Sequence, residues 1–272
     1  MQIKNRIALV TGAASGIGSA VAEELSWRGA SMIALVDMSE TVCEVADEIE
    51  HRHRDTKLKC FLGDVTDSEF CKEVYDSVCA NYGVVNICVP AAGITRDSPA
   101  VKINRATGEA EIYPMEHFRQ VAEVDLIAPI YWSLEMVARI AQWRYGQGLE
   151  RWMPEEGISG VVIFIGSISS QGHKGQLSYA TAKSGLEGAA ATLMKEAIYY
   201  GVRCGVIHPG FTDTPTVRAL GEEYIQKHIL PETQLGRLIR PDEIADAICF
   251  MISNSAVSGE LWADAGWHPA PA

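Results

Sequence analysis

The chain has 272 residues, 47% of them apolar and 21% charged, a composition that excludes disorder and fibrous repeats. Its formal charge of −12 repels phosphate backbones, so neither nucleic acid nor an anionic membrane is an expected partner. No apolar run nears the ~18 residues of a membrane span, and the first residues lack the apolar stretch of a signal peptide.

In chain order, Ile7–Val10 is predicted as a strand and runs straight into Thr11-Gly12-Ala13-Ala14-Ser15-Gly16-Ile17-Gly18. Apolar residues four apart, Ile17, Val21 and Leu25, then predict a helix. Met32–Val36 is the second strand, closed by Asp37. His51-Arg52-His53-Arg54 reads as a solvated helix end, because residues two apart share no helix face and no carboxylate or thiolate set completes a site. Leu58–Leu62 and Val84–Val89 are further strands, separated by a helix on Phe70, Val74 and Val78. Short alternation in 101–114 predicts a hairpin at the carboxyl edge of the sheet, where it shapes a substrate site. Long helices are predicted around Met115–Trp143 and Leu177–Tyr200, with strands at Gly160–Ile165 and Val202–Ile207. The 145–159 stretch precedes a strand, so it falls on the opposite edge and caps the fold or meets another subunit.

Near-continuous apolar strands alternating with helices predict an α/β fold, a single doubly wound parallel sheet with helices on both faces. With no repeat or composition break, residues 1–272 are read as one domain, with 101–114 and 145–159 as insertions. The seven cysteines form no C-x-x-C pair and sit mostly in apolar stretches. They are read as reduced, buried thiols, which together with the absent leader predicts a cytoplasmic protein. No metal site is expected.

Three features carry chemistry. The glycines at 12, 16 and 18 allow a tight turn and let backbone amides approach a pyrophosphate at a helix N-terminus. Asp37 can accept both hydroxyls of an adenosine ribose and would repel a 2′-phosphate, and neither Met38 nor Ser15 offers a cation, so NAD is favoured over NADP. Tyr179 and Lys183 lie one helical turn apart, so an ammonium sits beside a phenol and moves its pKa from ~10 toward the working range. Ser167, just past a strand, can donate to a substrate oxygen. His173 and Lys174 lie near the mouth of such a site, where meeting an acidic substrate is the less favoured reading.

In this order and spacing these residues resemble the short-chain dehydrogenase/reductase family and its Rossmann fold, from Ile7 to Gly266. Gly63-Asp64-Val65, Ala92-Gly93-Ile94, Pro209-Gly210-Phe211-Thr212-Asp213-Thr214, and the segment from Leu235-Gly236-Arg237 to Pro241-Asp242-Glu243-Ile244-Ala245 also match. The resemblance implies that Tyr179 is the general acid/base, that Lys183 tunes it and binds the nicotinamide ribose, and that Ser167 polarises the carbonyl. Asp64 and Val65 would bracket the adenine, and Ala91 and Gly93 would line the adenosine through the backbone. Thr212 and Thr214 would hold the carboxamide and phosphates. Residues 211–235 would form a substrate lid, whose Phe211, Val217, Leu220, Tyr224 and Ile225 favour a hydrophobic or cyclic substrate.

Two departures stand out. Pro90-Ala91-Ala92-Gly93 replaces the usual Asn-Asn-Ala-Gly, which removes side-chain hydrogen bonds from the sheet centre. Asp125 stands where the family commonly has a catalytic Asn that holds a water, and its charge would keep Lys183 an ammonium. The expected function is hydride transfer between NAD(H) and a secondary alcohol or ketone. Alternatives are a 3-oxoacyl thioester or sugar-type reductase, or a non-catalytic NAD-binding regulatory protein. The family also implies a homodimer or homotetramer through the long helices, and the run Gly188-Ala189-Ala190-Ala191 would allow close approach of subunits.

Overall fold

A computed structural model describes residues 1–267. In chain order its elements begin with β1 (Ile7–Thr11), α1 (Gly16–Trp27), β2 (Met32–Asp37), α2 (Thr41–Arg52), β3 (Lys57–Leu62), α3 (Ser68–Asn81) and β4 (Ile87–Pro90). A hairpin, β5 (Val101–Ile103) and β6 (Ala110–Ile112), leads to α4 (Met115–Ala122), a π turn (Glu123–Ile127) and α5 (Ala128–Gly146). Then come β7 (Gly160–Ile165), α6 (Leu177–Ala197) and β8 (Val202–Pro209). The short helices α7 (Pro215–Arg218) and α8 (Glu222–Tyr224) precede α9 (Pro241–Ser253) and β9 (Gly259–Ala263).

Seven strands form one parallel sheet in the order β3-β2-β1-β4-β7-β8-β9, as the alternating pattern predicts. The strand order reverses between β1 and β4, which opens a crevice at their carboxyl ends. Both faces are covered. Ala8 and Val10 of β1 join a core with α1, α2 and α9, while Ile7 and Leu9 join a second core with α3, α5 and α6. This two-sided burial is why the strands read as unbroken apolar runs. Trp132 of α5 is buried, and its Nε1 donates to the Val65 carbonyl at 2.8 Å, fixing the loop after β3. Truncating a tryptophan in such a place costs about 3–5 kcal/mol.

Several expectations are corrected. The strand expected over Val84–Val89 begins at Ile87; ahead of it, Asn86 accepts from the Ile7 amide and donates to the Ser159 carbonyl, stitching β1 to the approach to β7. The sheet centre is also stiffened despite Pro90-Ala91-Ala92, because Thr11 Oγ1 accepts from the Ala92 amide at 3.2 Å and the Thr11 carbonyl from the Ala91 amide. The long helix expected around Met115–Trp143 is present but carries a π turn at Glu123–Ile127, with helical dihedrals kept on both sides of it. A seventh strand, β9, was not expected, because GELWA alternates too briefly to be told from a loop. His51-Arg52-His53-Arg54 is a helix end, as read: Arg52 and His53 both contact Glu23 of α1, at 2.7 and 3.1 Å.

The two additions lie at opposite ends of the sheet. The hairpin is anchored by buried Tyr113, whose hydroxyl donates to the Arg96 carbonyl at 2.6 Å and pairs with Ser178 Oγ at 2.8 Å. Residues 145–159 close the other end, where buried Arg144 pairs with Glu156 at 2.6 Å. No helix among the described residues is long and apolar enough to cross a membrane.

The cysteine reading is overturned at two positions. Cys43 in the first turn of α2 is disulfide-bonded to Cys60 in β3, with Cα atoms 5.2 Å apart. The pairing arises because α2 packs back across β3, a contact that a separation of 17 residues does not announce. Cysteine usage therefore no longer argues for a reducing compartment. Cys71, Cys79, Cys88, Cys204 and Cys249 are free. Alkylation of the denatured, unreduced chain is expected to label those five thiols, and all seven only after reduction. Reduction is expected to lower stability by up to about 3 kcal/mol, through the loop it opens in the unfolded state. Seven labels without reductant would refute the pairing.

Candidate active site

At the carboxyl ends of the strands the crevice widens into a cavity of about 420 Å³. All residues expected at the site line it: Gly12, Ser15, Gly16, Ile17 and Gly18; Asp37; Asp64 and Val65; Ala91 and Gly93; Asp125; Ser167, Tyr179 and Lys183; Thr212 and Thr214. They span residues 12 to 214 of the sequence and meet because the winding delivers each loop to the same edge.

The floor is the turn from β1 into α1. Gly12 has φ +64°, and a Cβ on it would stand 2.6 Å from the Ala92 amide nitrogen. A Cβ on Gly18 would stand 2.1 Å from the Gly12 carbonyl oxygen. Only glycine permits this turn, which points the first amides of α1 into the cavity, where an anion is favoured. Asp37 closes the far end of the floor. Its Oδ2 accepts from the Ala14 amide and its Oδ1 from the Ser39 amide, each at 3.0 Å, so the carboxylate braces the glycine turn as well as facing the cavity. A Cβ-free cradle, an anion-favouring helix end and a carboxylate on the same cavity together fit a dinucleotide.

The opposite wall carries the ionisable groups. Ser167 is buried just past β7, and its Oγ accepts from the Ser169 amide at 3.1 Å. Ser169 Oγ donates to Gln176 Oε1 at 2.8 Å, and Gln176 Nε2 donates to Asp97 Oδ2 at 2.9 Å. This polar chain ties the Ser167 loop to the start of α6 and the loop after β4. Lys183 is buried one turn beyond Tyr179, its Nζ 5.4 Å from the Tyr179 ring centre. Asp125, in the π turn, is fully buried, accepts from the Ile94 amide at 2.8 Å, and holds Oδ2 3.2 Å from Lys183 Nζ. The π turn shifts the helical register so that this side chain faces inward, a device frequent at functional sites.

The expected downward shift of the phenol is not what the site produces. Burial pushes the Tyr179 pKa up and outweighs the Lys183 charge that pulls it down; Asp125 adds to the rise, and Ser167 hydrogen bonding opposes it. Burial pulls the Lys183 pKa down, but the Asp125 and Tyr179 charges outweigh that and raise it, so it stays an ammonium. Burial also raises Asp125, against the pull of Lys183 and the Ile94 amide.

The rest of the expected lid mostly packs on itself. Ile225, Ile229 and Leu238 form a small core with Phe211 and Val217, while Leu220 and Tyr224 face solvent. Of the five lid residues read as substrate-facing, only Val217 lines the cavity. Thr214 instead caps α7, and Thr212 donates to the Gly210 carbonyl at 3.0 Å, although both also border the cavity. The His173 ring lies 5.9 Å from that of Trp267, tilted by 48°, and His173 is not among the residues that line the cavity. Sequence reasoning assigned no role to Thr95, Val124, Ile165, Pro215 or Thr216, which also border the cavity but carry no motif.

Residues 6–225 match the family profile described as short chain dehydrogenase. The 3-oxoacyl-(acyl-carrier-protein) reductase FabG of Escherichia coli strain K12 is 31% identical over 263 residues, covering 96% of each chain. Cis-4-hydroxycyclohexanecarboxylate dehydrogenase of Sinomonas cyclohexanicum is 31% identical over 270 residues, covering 97% of each. A crystal structure of a short-chain type dehydrogenase/reductase from Mycobacterium marinum shares the fold, with a TM-score of 0.81 at 22% identity, covering 98% of this chain and 96% of that one. With the glycine cradle and the Ser-Tyr-Lys wall on one cavity, these matches make the chain a member of the short-chain dehydrogenase family, an oxidoreductase that binds a nicotinamide cofactor.

Proposed function

We propose that the chain is an NAD(H)-dependent dehydrogenase interconverting a secondary alcohol and a ketone, with a cyclic or otherwise apolar substrate. The observation that carries this reading is the convergence of Ser167, Tyr179, Lys183 and Asp125 on one wall of the cavity whose floor is the glycine turn. NAD is preferred because Asp37, already held by two amides, offers acceptors for ribose hydroxyls and like-charge repulsion for a 2′-phosphate. A cyclic substrate is supported by the apolar borders Ile94, Val124 and Val217 and by the relative that acts on a hydroxycyclohexanecarboxylate. A 3-oxoacyl thioester reductase is the second reading, favoured by the reductase relative that matches over nearly the whole chain.

The bound cofactor supplies the site that takes or gives hydride at the substrate carbon. Tyr179 Oη takes the hydroxyl proton during oxidation and returns it during reduction. Lys183 stabilises the phenolate through its charge, and Ser167 Oγ donates to the substrate oxygen and fixes it within reach of the phenol. Asp125 holds Lys183 in place and keeps it charged.

Three experiments test this. Fluorescence titration is expected to give NADH binding at least about tenfold tighter than NADPH, ~1.4 kcal/mol, both in the natural chain and in Tyr179→Phe. Tyr179→Phe is also expected to lose roughly 10²–10⁴ of turnover on a panel of cyclic alcohols and 3-oxoacyl thioesters. NADPH preference would overturn the Asp37 argument, and unchanged turnover would remove Tyr179 from the chemistry. Asp125→Asn removes a charge that raises the phenol directly, and with it the charge that supports the Lys183 ammonium that lowers the phenol, so the two effects oppose each other. Turnover is therefore expected to stay within about tenfold. Complete loss of activity would give the carboxylate a role of its own.

We further propose a homo-oligomer built on α5 and α6. Tyr131 and Leu134 are exposed large side chains on α5, and Gly188 on α6 opens onto free space rather than its own sheet. Light scattering at micromolar concentration is expected to give a dimer or tetramer; a monomer would refute it.

A further inference from the structure

Behind Ser167, His208 of β8 is fully buried, its ring flat against the Trp262 indole of β9, with centres 4.1 Å apart and 13° between planes. Nδ1 lies 3.2 Å from the Ser167 backbone carbonyl. Only a glycine at 166 permits this approach, because a Cβ there would stand 2.7 Å from Nδ1. A carbonyl can only accept, so Nδ1 carries a proton and donates it. Nε2 faces two carboxylates: Glu260 Oε2 of β9 at 3.4 Å and Glu187 Oε1 of α6 at 3.9 Å. Both Nε2 and Glu187 Oε1 are buried atoms with no hydrogen-bond partner.

A neutral ring with its proton on Nδ1 points a lone pair at two negative groups, which is electrostatically unfavourable. Either a second proton on Nε2 or a cation between the three groups relieves it. A charge-assisted N–H···O bond would close to about 2.7–2.9 Å and point along the N–H. The observed separations are longer and undirected. Donor atoms around a tetrahedral cation at roughly 2.0–2.2 Å stand about 3.3–3.6 Å apart. The three here lie within 4.8 Å of one another, in reach of that arrangement by small rotations of the two glutamates. A backbone carbonyl held by the ring's other nitrogen is also the outer contact that orients metal-binding imidazoles.

We propose that His208, Glu187 and Glu260 form a binding site for one divalent transition-metal cation, with zinc the best match to one imidazole and two carboxylates. A water fills the fourth position on the exposed side of Glu260. The site joins α6, β8 and β9. A cation there locks the helix that carries Tyr179 and Lys183 to the strand behind Ser167, and it takes no part in hydride transfer.

The test uses the full chain, stripped with a chelator and titrated with Zn²⁺ by calorimetry, with metal content measured after gel filtration. The expected result is one equivalent per chain and a raised Tm. Glu260→Gln, a change at a partly exposed side chain that leaves the fold intact, is expected to weaken uptake at least about tenfold, and His208→Gln to abolish it. Co²⁺ is expected to give a visible ligand-field spectrum that Glu260→Gln loses, a readout that misfolding does not imitate. No stoichiometric uptake, or equal uptake by Glu260→Gln, would overturn the proposal. So would nitrogen NMR that finds the His208 ring doubly protonated in excess Zn²⁺.

Discussion

A buried ammonium within 3.2 Å of a buried carboxylate organises the reactive side of this molecule. Each charge lowers the cost of burying the other, because desolvating an isolated ion costs several kcal/mol. Their meeting in turn requires α6 to pack against the π turn between α4 and α5. The Tyr179 pKa is the balance of the same two charges against burial. Where the family commonly has a neutral Asn, this chain has a second charge, so its proton equilibrium rests on an ion pair as well as on a hydrogen bond.

The winding of the sheet supplies the place for that pair. With β1 and β4 adjacent and the chain departing in opposite directions from them, no crossover covers their carboxyl ends. A dinucleotide-sized crevice follows from topology, and the glycine turn makes its floor shallow enough for backbone amides to reach a phosphate. Asp37 links the two ends of this floor, since the carboxylate that selects the ribose also holds the Ala14 amide. Changes at Asp37 thus act on the phosphate turn as well as on cofactor choice.

Second supports surround the site without touching the cavity. Trp132 pins the Val65 loop, Tyr113 pins the hairpin to the residue before Tyr179, and His208 backs the Ser167 peptide. They lie on elements distant in sequence, so the geometry at Ser167 and Tyr179 depends on packing well outside the site.

The strand-helix alternation, the glycine turn, Asp37, Ser167 and the Tyr179–Lys183 pair were legible in the sequence. Each is local: hydrophobic period, positive-φ requirement or one-turn helical spacing is written in neighbouring residues. The brief strand β9, the Cys43–Cys60 bond, the inward turn of Asp125 and the cluster of His208 with Glu187 and Glu260 were not. Each depends on which elements come to lie side by side, and a one-residue shift in helical register at the π turn decides whether Asp125 faces water or Lys183. The lid residues make the same point from the other side: their apolarity was visible, but only packing decided that most of it serves the lid's own core. The sequence by itself determined the family, the first six strands of the sheet and the chemistry available, because those rest on local period and residue type. Tertiary structure alone decided which charges share a buried space, because that depends on contacts between distant segments.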